Sequence, residues 1–357
     1  MNDKEALITL SSFASFGPVR LKLLLEYFGN AAKVWTASHQ ELETTGLSPQ
    51  LIKNFLRYKQ KFSKMNYFDR LKRGNVRVVT IYDADYPSRL LSLQDKPILL
   101  YIKGSVDILE KPTIAVIGTR EMSFYGRKTT EEFTQRLVDS GFVIIAGLAR
   151  GVDTKAHESA LKSEGFTAAI LGSGIDRVYP PENTNLASNI VNSKSVLLSE
   201  YPLGYPPLPS NFVLRNRLVS GLSDAVLVVE GKRKSGTLIT ASHAANQGKQ
   251  VFTIQGQIDS PLSEASHFLI QNGAKLVNSP EDVLEEIKET SFADTSQIKS
   301  EIEEKLLQII TKKPLHIDDI AKMSSLESLD VSARLTSMEI KGLVKRMKKG
   351  YYQKVES

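Results

Sequence analysis

The sequence predicts a doubly wound, mostly parallel α/β domain flanked by two small modules rich in helix. Three observations carry this. Apolar runs of strand length alternate with helical patterns through the middle of the chain. Those runs read apolar on both faces, as parallel strands do when helices cover both sides of the sheet. The two ends change character, to short helices at the start and to helices followed by a basic hairpin at the close. A chain of 357 residues also exceeds one ordinary core.

Residues 1–65 read as an all-α module of paired helix–hairpin–helix units. In "SFGPVRLKLLLEYFG" and "SHQELETTGLSPQLIKNFLRYKQ" a Gly turn opens an amphipathic helix. Such turns and helix N-termini hold DNA phosphates in some proteins. The other reading is a packing module without that contact, since neither turn has the Gly-x-Gly of strong DNA binders.

Residues 66–289 carry the Rossmann-like sheet. A connector supplies the strands "RVVTI" and "ILLYIKG". Then "TIAVIG", "FVIIAG", "TAAIL", "SVLLSE", "AVLVVE" and "VFTIQG" alternate with helical stretches. Residues 290–300 are polar and read as a linker. Residues 301–357 read as helices and then "VKRMKKGYYQKV", the order of a winged-helix module. That hairpin region is basic at Lys341, Lys345, Arg346, Lys348 and Lys349.

Composition bounds the function. With 41% hydrophobic and 24% charged residues the chain is globular. No apolar run approaches the roughly 18 residues of a membrane span, and the start lacks the basic region of a signal peptide. The absence of cysteine excludes disulfides and thiolate metal sites and fits a reducing cytoplasm. A net charge of +6 and a pI near 9.1 favour polyanionic partners.

Open parallel sheets bind ligands beyond the carboxyl ends of their strands. Four strand ends here are followed by polar turns bearing glycine: Gly118-Thr119-Arg120, Gly147 through Arg150 to Gly151, Gly172-Ser173-Gly174, and Lys234-Ser235-Gly236-Thr237. Glycines let main-chain amides approach an anion, and helix dipoles and nearby cations favour it. The turns therefore point to a phosphate-bearing ligand. Asp153 is placed to cap the helix that begins at Thr154. The fingerprints of NAD and ATP binding are missing: Arg177 stands where "GSGIDR" needs a third glycine, and there is no Walker lysine motif. No cofactor is implied.

The stretch "SNFVLRNRLVSGLSD" sets Arg215 and Arg217 around Asn216 just before the strand "AVLVVE". Either these arginines lie on a solvated face or they hold an anion at the mouth of the sheet. Tyr201, Tyr205 and Phe212 interleave with prolines beside them. Aromatic faces next to cations suit single-stranded nucleic acid; a rigid loop packing its rings onto the domain is the alternative. Glu200 and Glu230 end strands at the same mouth, either as acid–base groups or as partners for the arginines or amides.

In combination, "IAVIGTREMSFYG", "VIIAGLARGVDTKAH", "LGSGIDRVYPPEN", "LLSEYPLG", "NFVLRNRLVSGLSDAVLVVE" and "SGTLITASHAANQGKQVFTIQGQIDSPLS" resemble the DNA-processing protein A (DprA/Smf) family, in the family's order. The resemblance implies a cytoplasmic, non-enzymatic homodimer that binds incoming single-stranded DNA in natural transformation, protects it and helps load the RecA recombinase. It implies no membrane association. By motif it places DNA contacts on Gly118, Thr119 and Arg120, on the element of Asn211, Phe212, Arg215, Asn216 and Arg217, and on Ser235, Gly236 and Thr237. The turns add Gly147, Arg150, Gly174 and Lys234. One departure stands out, since Ala265 and His267 replace a Gly and an Asn usual in the family. The competing readings are a nucleotide-binding scaffold and a phosphoribohydrolase-like enzyme. The enzyme signature P-G-G-x-G-T-x-x-E has Thr240 here in place of its Glu, and a hydroxyl is no acid–base substitute near neutral pH.

Overall fold

The structure is a computed structural model that describes residues 1–288, 305–310, 314–324, 326, 328–340, 343–347 and 350–354. The expected linker, residues 290–300, lies outside the described residues, as do Lys341, Lys348 and Lys349. The chain divides into two compact units, Met1–Val283 and Leu284–Ser357.

Six helices open the first unit: α1 (Asp3–Ser11), α2 (Pro18–Phe28), α3 (Ala31–Thr36), α4 (His39–Glu43), α5 (Pro49–Lys61) and α6 (Lys64–Arg73). Local chemistry sets their starts. Asn2 with Glu5 and Ser38 with Glu41 form capping boxes, and Gly17-Pro18 and Ser48-Pro49 place proline in the first turn. Phe13, Phe16, Phe55, Tyr58 and Phe62 pack ring against ring between them. The helical region continues to Arg73, past the expected boundary at residue 65. It shares a core with the sheet, and the buried Tyr101 hydroxyl joins Ser11 at 2.9 Å and Tyr67 at 3.0 Å.

The sheet strands are β1 (Arg77–Thr80), β2 (Leu99–Gly104), β3 (Thr113–Ile117), β4 (Val143–Ala146), β5 (Thr167–Leu171), β6 (Val196–Ser199), β7 (Ala225–Val228), β8 (Gln250–Ile254) and β9 (Lys275–Val277). They form one nine-stranded sheet in the order β1-β2-β6-β5-β4-β3-β7-β8-β9. Strands β6 through β9 in that order pair in parallel, while β2 adds antiparallel to β6 and β1 antiparallel to β2. Every residue of β3, β4, β5, β6 and β7 is buried, which is why these runs read apolar throughout. Strand β9, three residues between Gly273 and Asn278, was not foreseen; it is too short to show a period.

The crossover helices are α7 (Phe124–Asp139), α8 (Val152–Lys162), α9 (Thr184–Asn192), α10 (Pro209–Gly221), α11 (Gly236–Asn246) and α12 (Glu264–Gln271). Successive strand residues feed opposite cores. Ala169, Leu171 and Leu197 join α9 and the N-terminal helices, whereas Ala168, Ile170 and Leu198 join α10 and α11. Among the described residues no helix is long and apolar enough to cross a membrane.

The second unit has helices Ile317–Ser324 and Ser328–Ile340 and a three-stranded sheet of β10 (Leu315–His316), β11 (Val344–Arg346) and β12 (Tyr351–Lys354), with β12 in the middle. Leu306, Ile320, Leu335, Met338, Val344 and Tyr352 make its core. This is the expected winged-helix module, with the hairpin β11–β12 where the sequence placed it.

Candidate functional site

From β3 the chain proceeds to β4 on one side, and it returns through β6 and α10 to β7 on the other. The strand order thus reverses between β3 and β7, and loops leaving such a point diverge and open a crevice. A cavity of about 580 Å³ lies over it. Its walls are the loops after β3, β4 and β7 together with α10 and α11.

The floor is built from charges that hold backbone. Helix α10 stands between the proline-rich loop and β7, so the two arginines do not sit at a strand start, as the sequence suggested. Only 3% of Arg215 and 6% of Arg217 is exposed. The Arg215 guanidinium donates to the Gly147 carbonyl at 2.6 Å and to the Ile170 carbonyl, at the ends of β4 and β5. Gly147 is a glycine of necessity, because a Cβ there would strike that guanidinium.

At the same residue, Asp153 accepts the amide of Gly147 at 2.9 Å, and also that of Ala149 at 3.3 Å. Asp153 therefore braces the preceding loop, and the expected cap role is corrected. Helix α8 starts two residues earlier, at Val152, with Gly151 as its N-cap. Burial pulls Arg215 down to about 10, with Asp153 opposing, so it stays cationic at neutral pH. Burial pushes the Asp153 carboxyl up, against the pull of Arg215 and the two amides.

Arg217 is held by two carboxylates. Its Nε lies 2.7 Å from Asp95 and its Nη2 2.8 Å from Glu200. Burial holds Glu200 above the usual carboxylate range, with Arg217 drawing it back. Arg217 does not line the cavity. The sequence set it among the DNA contacts; in the fold its charge is matched by two carboxylates, and its Nη1 is buried without a hydrogen-bond partner. Glu230 is also structural, accepting the Ser123 amide at 3.0 Å and its hydroxyl at 2.5 Å beside the start of α7.

The rim differs. Arg120 and Lys234 line the cavity and make no ion pair or hydrogen bond among the described residues, the charge of Arg120 reaching Asp153 only at longer range. Lys232 has only an exposed contact of 3.6 Å with Glu121. Helix α11 begins at this rim with no side-chain cap on its first turn, and the Ser235 hydroxyl is buried without a partner. Uncovered amides, an unused hydroxyl and the positive end of a helix dipole together suit an oxyanion. Opposite, Phe212 and Tyr179 face each other with ring centroids 5.4 Å apart. Both line the cavity, and the Phe212 ring lies against Gly172.

The structure thus brings Gly118, Thr119, Arg120, Gly147, Phe212, Arg215, Asn216, Lys234, Ser235, Gly236 and Thr237 to one cavity. Others of the expected set lie elsewhere. Gly174 packs under the 201–205 loop, its amide on the Tyr205 carbonyl at 3.0 Å. Asn211 is buried and donates to the Pro206 carbonyl at 3.4 Å. Arg150 pairs with Glu182 in a smaller hollow alongside, which it shares with Arg120, Tyr179 and Phe212. Tyr201 and Tyr205 stack on each other at 4.9 Å, outside the cavity, as a packed loop would. Tyr179 was missed, although "VYPPEN" sets an aromatic against prolines just as the 201–209 stretch does. Thr240 also lines the cavity, its hydroxyl donating to the Gly236 carbonyl at 3.2 Å.

Comparison with known proteins gives the same picture. Residues 77–288 match the family described as DNA recombination-mediator protein A, and residues 290–350 match the DprA winged helix domain. Protein Smf of Escherichia coli is 34% identical over 321 residues, covering 87% of this chain and 86% of that protein. The DNA processing protein DprA of Streptococcus pneumoniae is 45% identical over 209 residues, 58% of this chain and 73% of that one. The X-ray structure of the S. pneumoniae protein aligns with a TM-score of 0.68 at 34% identity, covering 78% of this chain and 95% of its own. DNA processing protein A from Helicobacter pylori, whose structure concerns a unique single-stranded DNA binding mode, aligns at 0.54 with 28% identity, over 60% and 97%. By motif order, fold and sequence, the chain belongs to the DNA recombination-mediator protein A family, that of the DprA and Smf proteins.

Proposed function

We propose that this protein binds single-stranded DNA at the switch-point cavity and serves DNA recombination, protecting incoming strands in natural transformation and handing them to RecA. The observation that carries the reading is the cavity's rim: unpartnered Arg120 and Lys234 beside the uncapped start of α11 and the unpaired Ser235 hydroxyl. These groups hold a backbone phosphate. Phe212 and Tyr179 offer ring faces to a base. The H. pylori relative, described as binding single-stranded DNA, supports the substrate class.

The protein acts by binding, without catalysis, in the cytoplasm. Glu200 and Glu230, the carboxylates the sequence offered for acid–base work, do not line the cavity and are tied to Arg217 and to Ser123. By motif, Thr240 stands where the hydrolase signature has its glutamate. A homodimer presents two cavities to one strand, and linking two sites raises avidity by roughly 10² or more without new contacts.

A gel shift tests this with a single-stranded oligonucleotide, the matching duplex and mononucleotide competitors. Preference for the single strand, with weak competition by mononucleotides, is expected. Binding of mononucleotides alone overturns the reading in favour of a nucleotide scaffold.

A further inference from the structure

Apart from the switch-point cavity, a second hollow of about 290 Å³ opens where α6 meets the sheet. Arg70, Arg73, Lys103, Asp176 and Leu203 line it. One of the cations is already engaged. Arg70 lies 3.2 Å from Asp176, whose other oxygen accepts the Gly204 amide at 2.7 Å. Asp176 is therefore a latch that fastens the 201–205 loop to α6, and its charge is matched by Arg70.

Arg73 and Lys103 have no acidic partner among the described residues. The Arg73 Nε reaches only the Asp69 carbonyl, at 3.4 Å. Two unbalanced positive side chains from separate elements, α6 and β2, thus meet in one open hollow. An anion placed there gains attraction from both and relieves their mutual repulsion.

The hollow is also tied to the cavity by two loops. The loop after β5 contributes Asp176 to the hollow and Tyr179 to the cavity, three residues on. The loop after β6 contributes Leu203 to the one and Pro207 to the other, four residues on. At no more than about 3.6 Å per residue, these segments span at most roughly 11 and 14 Å. A strand advances about 3.4 Å of helix axis per phosphate even when stacked, so one leaving the cavity reaches the near edge of the hollow, at Asp176 and Leu203, within a few nucleotides.

We propose that Arg73 and Lys103 form a second phosphate site, which holds the backbone of the same single strand as it leaves the switch-point cavity past Tyr179. The proposal rests on the single-strand reading of that cavity. Its ligand is a phosphodiester, and free polyphosphate shares the chemistry.

The test compares the parent with the double variant Arg73→Gln/Lys103→Gln, which leaves the Arg70–Asp176 latch intact. Fluorescence anisotropy is read with oligothymidylates of about 4 and about 20 nucleotides, a range that brackets common single-strand site sizes. The variant should bind the short strand as the parent does and the long one several-fold more weakly. Its log–log salt slope on the long strand should be shallower by roughly 1.4, two phosphates at about 0.7 each. In the parent, the long strand should slow acetylation of Lys103, read by mass spectrometry, and this readout needs no variant to fold. If the variant matches the parent at both lengths and Lys103 is not protected, the second site is overturned while the cavity reading stands. If the parent binds neither strand, the cavity reading fails, and inorganic polyphosphate decides the hollow. Protection of Lys103 then retains a phosphate site, and its absence removes it.

Discussion

Two sets of cations stand at and beneath one site and do opposite work. On the floor, Arg215 and Arg217 come from a single helix and are almost wholly buried, one on the carbonyls of Gly147 and Ile170, the other on Asp95 and Glu200. On the rim, Arg120 and Lys234 come from loops and have no partner among the described residues. A buried charge must be matched inside the fold, and once matched it has little left to offer a ligand. An unmatched charge on a loop keeps its field for what arrives. The segments that resemble the family therefore carry or adjoin cations of both kinds, and the two arginines of α10 are engaged within the fold.

The largest effect expected from this contrast falls on stability. Arg217→Ala leaves Glu200 buried and unpaired, and losing one member of such a pair costs about 3–5 kcal/mol. Urea unfolding should show this loss while the folded fraction binds DNA as the parent does. A variant as stable as the parent, but weak in binding, would reverse the roles of floor and rim.

His157 provides a second floor test. It is fully buried under the same loop region, with Nδ1 2.6 Å from the Thr167 hydroxyl. That hydroxyl donates to the Ile144 carbonyl, so Nδ1 carries the proton of a neutral ring. Burial first, and then the charge of Arg215, pulls the imidazole from 6.5 down to about 3. The unfolded chain takes up this proton near its ordinary value and the folded chain does not. Stability should accordingly fall as pH drops below that value, by up to about 1.4 kcal/mol per unit from this group. His157→Gln, uncharged throughout, should flatten the slope between about pH 6 and pH 4. An unchanged slope assigns acid sensitivity to other groups.

A smaller change sharpens the rim. Phe212→Ala should lower single-strand affinity by about 1–3 kcal/mol if a base stacks there. Because the ring also lies against Gly172 and Tyr179, thermal melts must accompany the titration. Equal losses of affinity and stability would make Phe212 a packing residue.

Much of this was legible in the sequence where local chemistry decides the outcome. Strands β3 to β7 are buried on both faces, and their uninterrupted apolar runs said so. The turn at Lys234–Thr237 announced a helix start, and it is one. Helix α10 was not legible. It buries Arg215 and Arg217 while leaving Val213 and Leu214 exposed, which inverts the pattern that marks a helix face. The partners of those arginines come from positions 95, 147, 170 and 200, and no local pattern reports such distant pairings. The same is true of the hollow at Arg73 and Lys103, which the sequence placed in one connector with no local pattern to bring them together.

The central claim is that the rim holds the strand's phosphates and the floor holds the fold. The salt dependence of single-strand affinity tests it most directly, measured for the parent and for Arg120→Gln/Lys234→Gln across a range of ionic strength. The account predicts equal melting temperatures, a weaker affinity and a log–log slope shallower by roughly 1.4 in the double variant, two phosphate contacts at about 0.7 each. A slope and an affinity unchanged from the parent would contradict it and move the phosphate contacts off the rim.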